Sequence, residues 1–174
     1  MSEDALTLIQ RGHAERREMR LDDALQTFTE AVAAARREGN DADLVPALKG
    51  LGQIERDLGH GEHALQLYVE AAELCLALDD QPGLAHTLRH LGDIHQDDDA
   101  LTSAEAYYAQ ALALYRRQPT SSALDLANAL RPYALLRERL GDAEDAIAMW
   151  QEARALYAAA GIAAGVEECD RHLP

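Results

Sequence analysis

The chain has 174 residues and a mass of 19.0 kDa. That is long enough to bury a core without disulfides or a structural metal. Its 16 Lys and Arg stand against 31 Asp and Glu, a formal net charge of −15. This excess of negative charge argues against nucleic acid and anionic membranes, which are bound through cations. The 48% hydrophobic content argues against disorder. Thirty-four Ala and 27 Leu, with only 5% aromatics, favour helices over strands.

No apolar run approaches the roughly 18 residues of a membrane-spanning helix. The start, Met1-Ser2-Glu3-Asp4, is acidic and lacks the basic-then-apolar order of a signal peptide. Cys75 and Cys169 are too few for a disulfide framework and read as reduced thiols, so a cytoplasmic location is expected. Lys49 is the only lysine among the basic residues; heavy Ala, Arg and Asp usage points to a bacterial source.

In chain order, the apolar periodicity predicts helices over 3–18, 21–38, 41–58, 61–78, 82–96, 100–117, 122–140 and 143–160. A shorter helix follows over 163–172. Pro46 and Pro82 fall near helix starts, where a missing N–H is tolerated. Pro132 is expected to kink its helix or delay its start. Gly59 and Gly141 suit a left-handed residue just past a helix end. Asp142, Asp99 and Asp22 are placed to cap the helices that follow them. The run Asp97-Asp98-Asp99 lacks the spaced ligands of a calcium loop and reads as acids at a helix N-terminus.

The helices pair into a repeat. Ala24, Ala64, Ala104 and Ala146 are spaced by 40, 40 and 42 residues. Four residues after each stand Phe28, Tyr68, Tyr108 and Trp150, and three further on Ala31, Ala71, Ala111 and Ala153. Twelve before each anchor are Gly12, Gly52, Gly92 and Ala134; four before those are Leu8, Leu48, Leu88 and Leu130. Leu followed by a small residue at +4 is one face of a first helix, and Ala–aromatic–Ala is one face of a second. A hairpin of this kind cannot bury its apolar face alone, so copies stack. The four aromatics are expected in the core, with Cys75 a buried thiol. Tyr107, Tyr115 and Tyr157 lie outside that column and are read as freer to make contacts.

The pattern Leu48…Gly52…Ala64…Tyr68…Ala71, repeated in each copy over about residues 4–160, resembles the tetratricopeptide repeat. The repeats here are longer than usual and lack the Pro that ends the second helix. The resemblance implies an all-α, right-handed superhelical solenoid of four hairpins in a single domain, 1–174. Repeats are expected at about 4–40, 41–80, 81–120 and 121–161, with a capping helix at 162–174. Gly165-Val166…Arg171-His172-Leu173 repeats Gly83-Leu84…Arg89-His90-Leu91, so the cap reads as the truncated start of a fifth repeat.

In that family partners usually bind a concave groove lined by first helices. The residue after the conserved Leu should face it: Ile9, Lys49, Arg89, Arg131, and Arg171 in the cap. Seven residues on come Arg16, Arg56, Gln96 and Glu138. This basic ladder suits carboxylates or phosphates along an extended ligand; equally, the side chains can pair with nearby Asp and Glu. Gln53, His86, Asp93 and Asn128 complete the expected groove residues. The clamp by which some relatives hold a C-terminal carboxylate retains only Lys49, so chaperone C-terminal peptides are not expected.

His86 and His90, at i and i+4 with Asp93, can in principle hold a transition metal. No metal signature accompanies them, and groove-lining polar residues are the simpler reading. No phosphate-binding loop, dinucleotide fingerprint or nucleophile elbow is present. The sequence thus points to a non-catalytic, cofactor-free scaffold that binds a peptide or helical segment of a partner carrying acidic groups. Self-association through the solenoid ends or residues 161–174 is an alternative; a metal protein built on His86 and His90 is a remote one.

Overall fold

The computed structural model describes residues 3–118 and 122–174. Among these there are nine α-helices and no strand: α1 Ala5–Arg17, α2 Leu21–Glu38, α3 Asp41–Asp57, α4 Gly61–Ala77, α5 Gln81–Asp97, α6 Leu101–Arg117, α7 Ala123–Leu140, α8 Ala143–Ala159 and α9 Ala163–His172. The chain divides into two compact units, Met1–Thr87 and Leu88–Pro174, with the division inside α5. Residues 119–121, where the expected third and fourth repeats meet, lie outside the described residues.

One turn closes seven of the nine described helices, while α6 and α9 end on the extended residues Gln118 and Leu173. Met19, Gly39, Gly59, Asp79, Asp99, Gly141 and Gly161 all have φ between 54° and 85°. At Gly59 its N–H reaches Arg56 O (2.9 Å) and the next N–H, of His60, reaches back to Glu55 O (2.8 Å). The same pair of bonds recurs at the other six turns, satisfying carbonyls that a helix end leaves open. Positive φ costs a non-glycine residue about 1–2 kcal/mol, because its Cβ crowds the carbonyl. Met19 is 76% exposed, so Met19→Gly loses no packing. After the extra unfolded-state entropy of glycine, about 0.4–1 kcal/mol, it is expected to raise stability by up to about 1 kcal/mol. Urea unfolding with the reciprocal Gly59→Ala, which should lose a similar amount, checks the pair.

The two kinds of helix start differently. The first helices α1, α3, α5 and α7 are capped by side chains: Asp4 accepts from Thr7 N (2.7 Å), Asn40 from Asp43 N (3.2 Å) and Asp80 from Gly83 N (2.9 Å), while Ser122 and Asp125 form a reciprocal capping box. The second helices α2, α4, α6 and α8 have no side-chain cap bond. This corrects the caps expected from the sequence. Asp142 does occupy the N-cap of α8, but its carboxylate turns to Arg137 (3.2 Å). Asp22 sits inside the first turn of α2. Asp97 ends α5 and Asp99 is the left-handed turn residue, so that acidic run closes one helix rather than opening the next. Pro46 stands in the second turn of α3, further in than expected, and α7 starts at Ala123 and runs through Pro132 without a delayed start.

Small residues let the aromatic column seat. In the first unit the Phe28 ring lies between α1 and α3: a Cβ placed on Gly12 would be 2.8 Å from it, and one on Gly50 2.1 Å. Tyr68 covers Gly52 in the same way. In the second unit Tyr108 lies over Gly92, and Trp150 is fully buried with Ala134 and Ala153. A second buried column was not expected. Seven residues after each aromatic come Ala35, Cys75, Tyr115 and Tyr157, all buried. Tyr115 and Tyr157 are therefore core, not free contacts, and Tyr107 stacks on His95 (5.1 Å, 8°). On the outer side, Arg36 pairs with Glu70 (2.7 Å) in the first unit and Arg116 with Glu152 (2.6 Å) in the second, tying consecutive second helices.

Candidate partner-binding faces

The first unit presents α1 and α3. Arg16 Nε donates to Asp57 Oδ2 (2.7 Å) and Gln53 Nε2 to Asp57 Oδ1 (2.8 Å), so one carboxylate ties the two helices. Lys49 and Arg56 are half-buried on α3, and His86 is half-buried near the end of the unit. Ile9, which heads the ladder in the sequence, is 5% exposed and belongs to the core. His13 packs edge-on against Phe28 (5.1 Å, 77°) and keeps an exposed edge. Burial, followed by the positive charges of Arg17, Arg16 and Lys49, pushes its imidazole below the usual range. The face therefore gathers cations around a neutral imidazole.

The second unit presents the C-terminal part of α5, then α7 and α9. Arg89 donates to Asp93 Oδ2 (3.2 Å) and to His90 Nε2 (2.6 Å). A guanidinium can only donate, so His90 Nε2 accepts and Nδ1 carries the proton, 3.3 Å from Asp93. Tyr108 also donates to Asp93 (2.8 Å). Asp93 and His90 are buried, which fixes Arg89 in place. Two tyrosines lie alongside. Burial pushes the Tyr115 hydroxyl up to about 12 against the opposing charge of Arg89. Burial also raises Tyr157, opposed by Arg131 and Arg89. Tyr157 donates to Asn128 Oδ1 (2.8 Å), which leaves the Asn128 amide N–H groups directed elsewhere. Arg131 meets both oxygens of Glu168 at 3.1 Å. Arg171 is exposed on α9.

Three basic residues of the ladder thus hold internal acids: Asp57 for Arg16, Asp93 for Arg89 and Glu168 for Arg131. The sequence pointed to the cations, and to His90, Tyr115 and Tyr157 as groove-lining or freer side chains rather than buried ones, but not to Glu168. Among the described residues no group of three or more His, Cys, Asp or Glu is arranged to hold a metal ion, and no helix is long and apolar enough to cross a membrane.

The chain belongs to the tetratricopeptide repeat family: the model of that family, described as "Tetratricopeptide repeat", matches residues 3–77 and 47–117. No curated protein matches the sequence. Among solved structures it is similar to BtubC (BKLC) from P. vanneervenii, at 21% identity and a TM-score of 0.79, over 90% of this chain and 64% of that one. It is similar to aspartyl phosphate phosphatase F from Bacillus subtilis, at 16% identity and 0.85, over 95% and 43%. It is also similar to the apo form of RapI, at 13% identity and 0.80, over 90% and 57%. The chain thus spans between 43% and 64% of the length of these proteins, and the likeness is one of all-α helical-repeat fold.

Proposed function

We propose that the chain is a non-catalytic interaction module that binds a segment of another protein on its first-helix faces, with Lys49 and Arg131 as the leading contacts to acidic groups. Gln53, Asn128, Arg16, Arg56, His86 and Arg171 flank them, and Arg89 and Asp93 form the rigid floor in the second unit. The observation that carries this reading is the arginine–carboxylate pair on α7 and α9. The Arg131 and Glu168 side chains are 43% and 25% exposed. Exposed pairs of this kind are worth about 0–1 kcal/mol, so a partner carboxylate replaces the internal one at little cost. Arg89 differs, because its partner Asp93 is buried and removing one member of a buried pair is expensive.

The test follows from that difference. Proteins retained from a lysate of the source organism by the wild-type chain would be compared with those retained by the Lys49→Gln, Arg131→Gln variant, with circular dichroism as a check on folding. Desolvated against a partner, each charge-assisted hydrogen bond is worth about 1.5–3 kcal/mol, less the roughly 0–1 kcal/mol of the internal pair it replaces, so losing both contacts is expected to lower the partner's affinity by at least about tenfold. A partner that binds the folded variant as well as the wild type would remove the assignment.

A further inference from the structure

The helix that ends the second unit is lightly buried yet closely matched to its seat. α9 has ten residues, too few to stay helical alone in water. Only Gly165 and Cys169 are buried in it, against four residues in α8. Beside its last turn remains a cavity of about 400 Å³ that includes Ala146, Ile147, Arg171 and Leu173 in its lining. The contacts that seat α9 are specific. The Tyr157 ring occupies the space where a Cβ on residue 165 would come within 2.5 Å. Glu168 holds Arg131. His172 stacks on Trp150 (4.2 Å, 13°) and donates from Nδ1 to Glu138 Oε1 (3.0 Å), the oxygen that also accepts from Trp150 Nε1 (2.7 Å).

We propose that α9 is a displaceable strap, covering in cis a docking site for an amphipathic helix of a partner protein. The occupant's chemistry is read from what α9 places there: a small residue, an acid three positions on, a small apolar residue at four, and an aromatic or histidine at seven. A helix of α9's own length, such as that of a second copy, gains nothing over the tethered one, which is held at high local concentration. A longer partner helix, with one more apolar side chain for the cavity beside Ile147, does gain. This inference goes beyond the first-helix-face reading, and its first arm requires no ligand.

That arm is thiol labelling of the wild-type chain. Cys75 and Cys169 are both fully buried, one in each unit. If α9 lifts on its own, Cys169 reacts with a disulfide reagent at least about tenfold faster than Cys75, because local opening is easier than global unfolding. Equal rates, or a Cys169 rate that rises with urea as steeply as the unfolding of the second unit, would mean that α9 leaves only when that unit unfolds, and would overturn the strap. The second arm uses a fluorescent peptide of residues 163–174 with Cys169→Ala. The chain carrying Glu168→Gln and His172→Ala loosens the strap but keeps the surface beneath it. It is expected to bind the peptide at least about fivefold tighter than wild type, and adding Arg131→Gln should reverse the gain. A loosened chain that binds no better than wild type overturns the proposal. Light scattering that shows the loosened chain forming dimers at the same concentrations would assign the site to a second copy and overturn the choice of partner.

Discussion

Gly92→Leu is expected to destabilise the second unit by roughly 2 kcal/mol, within the range seen when side chains are forced into packed cores. A Cβ at this position would lie 2.6 Å from Tyr108 Cδ1 and Cε1. The ring cannot simply retreat. Its hydroxyl is bonded to buried Asp93 (2.8 Å), and its face lies against Tyr133 at 5.8 Å. Moving it breaks a buried hydrogen bond and opens space beside a second aromatic. Leu is the better helix former by something under 1 kcal/mol, which offsets only part of the cost. The thermal midpoint should fall by about 4–8 °C, as expected for a chain of this length. A variant that melts with the wild type would show that α5 and α6 do not pack in the register described.

Trp150→Ala should cost more, about 3–5 kcal/mol, as large aromatic deletions do. The side chain is fully buried between Ala134, Ala146 and Ala153, none of which can fill the space left behind. Two further losses follow from its edges. Glu138 loses the indole N–H, and His172 loses the ring on which it stacks, so α9 is loosened as well. Trp150→Phe separates these effects. It keeps most of the buried area and gives up the N–H, so a loss nearer 1–2 kcal/mol is expected. Urea unfolding followed by circular dichroism reads both variants. Equal losses for Ala and Phe would show that the Glu138 contact, and not the filled volume, dominates.

Helix positions were legible because packing repeats. Leu–small–apolar and Ala–aromatic–Ala recur in every copy, and each recurrence marks a face buried against a neighbour. The turns were only half legible. Gly59 and Gly141 announced a left-handed residue; Gly39 and Gly161 carry the same signal but were not read, and the same conformation at Met19, Asp79 and Asp99 carries no glycine. Position within the repeat, rather than residue type, was the missing signal: each lies 20 residues from a neighbouring turn of the same kind. The buried column of Tyr115 and Tyr157 was missed because its first members, Ala35 and Cys75, share no chemistry with tyrosine. For the faces, the sequence revealed one basic residue per first helix. It could not reveal which acid each would hold, since Asp57 and Glu168 stand 41 and 37 residues from Arg16 and Arg131. Those choices belong to the packing of neighbouring helices.

The turns also say how such a chain changes length in evolution. Among the described residues they recur every 20 residues except between Asp99 and Gly141, where 42 separate them. The two added residues fall in the joint between α6 and α7. One residue inserted within a helix would instead rotate everything beyond it by about 100°, exchanging the core column for the basic one. Gain or loss of whole 40-residue hairpins returns every later side chain to its own face. Length in this lineage is therefore expected to vary by hairpins, and by small insertions at the joints between them.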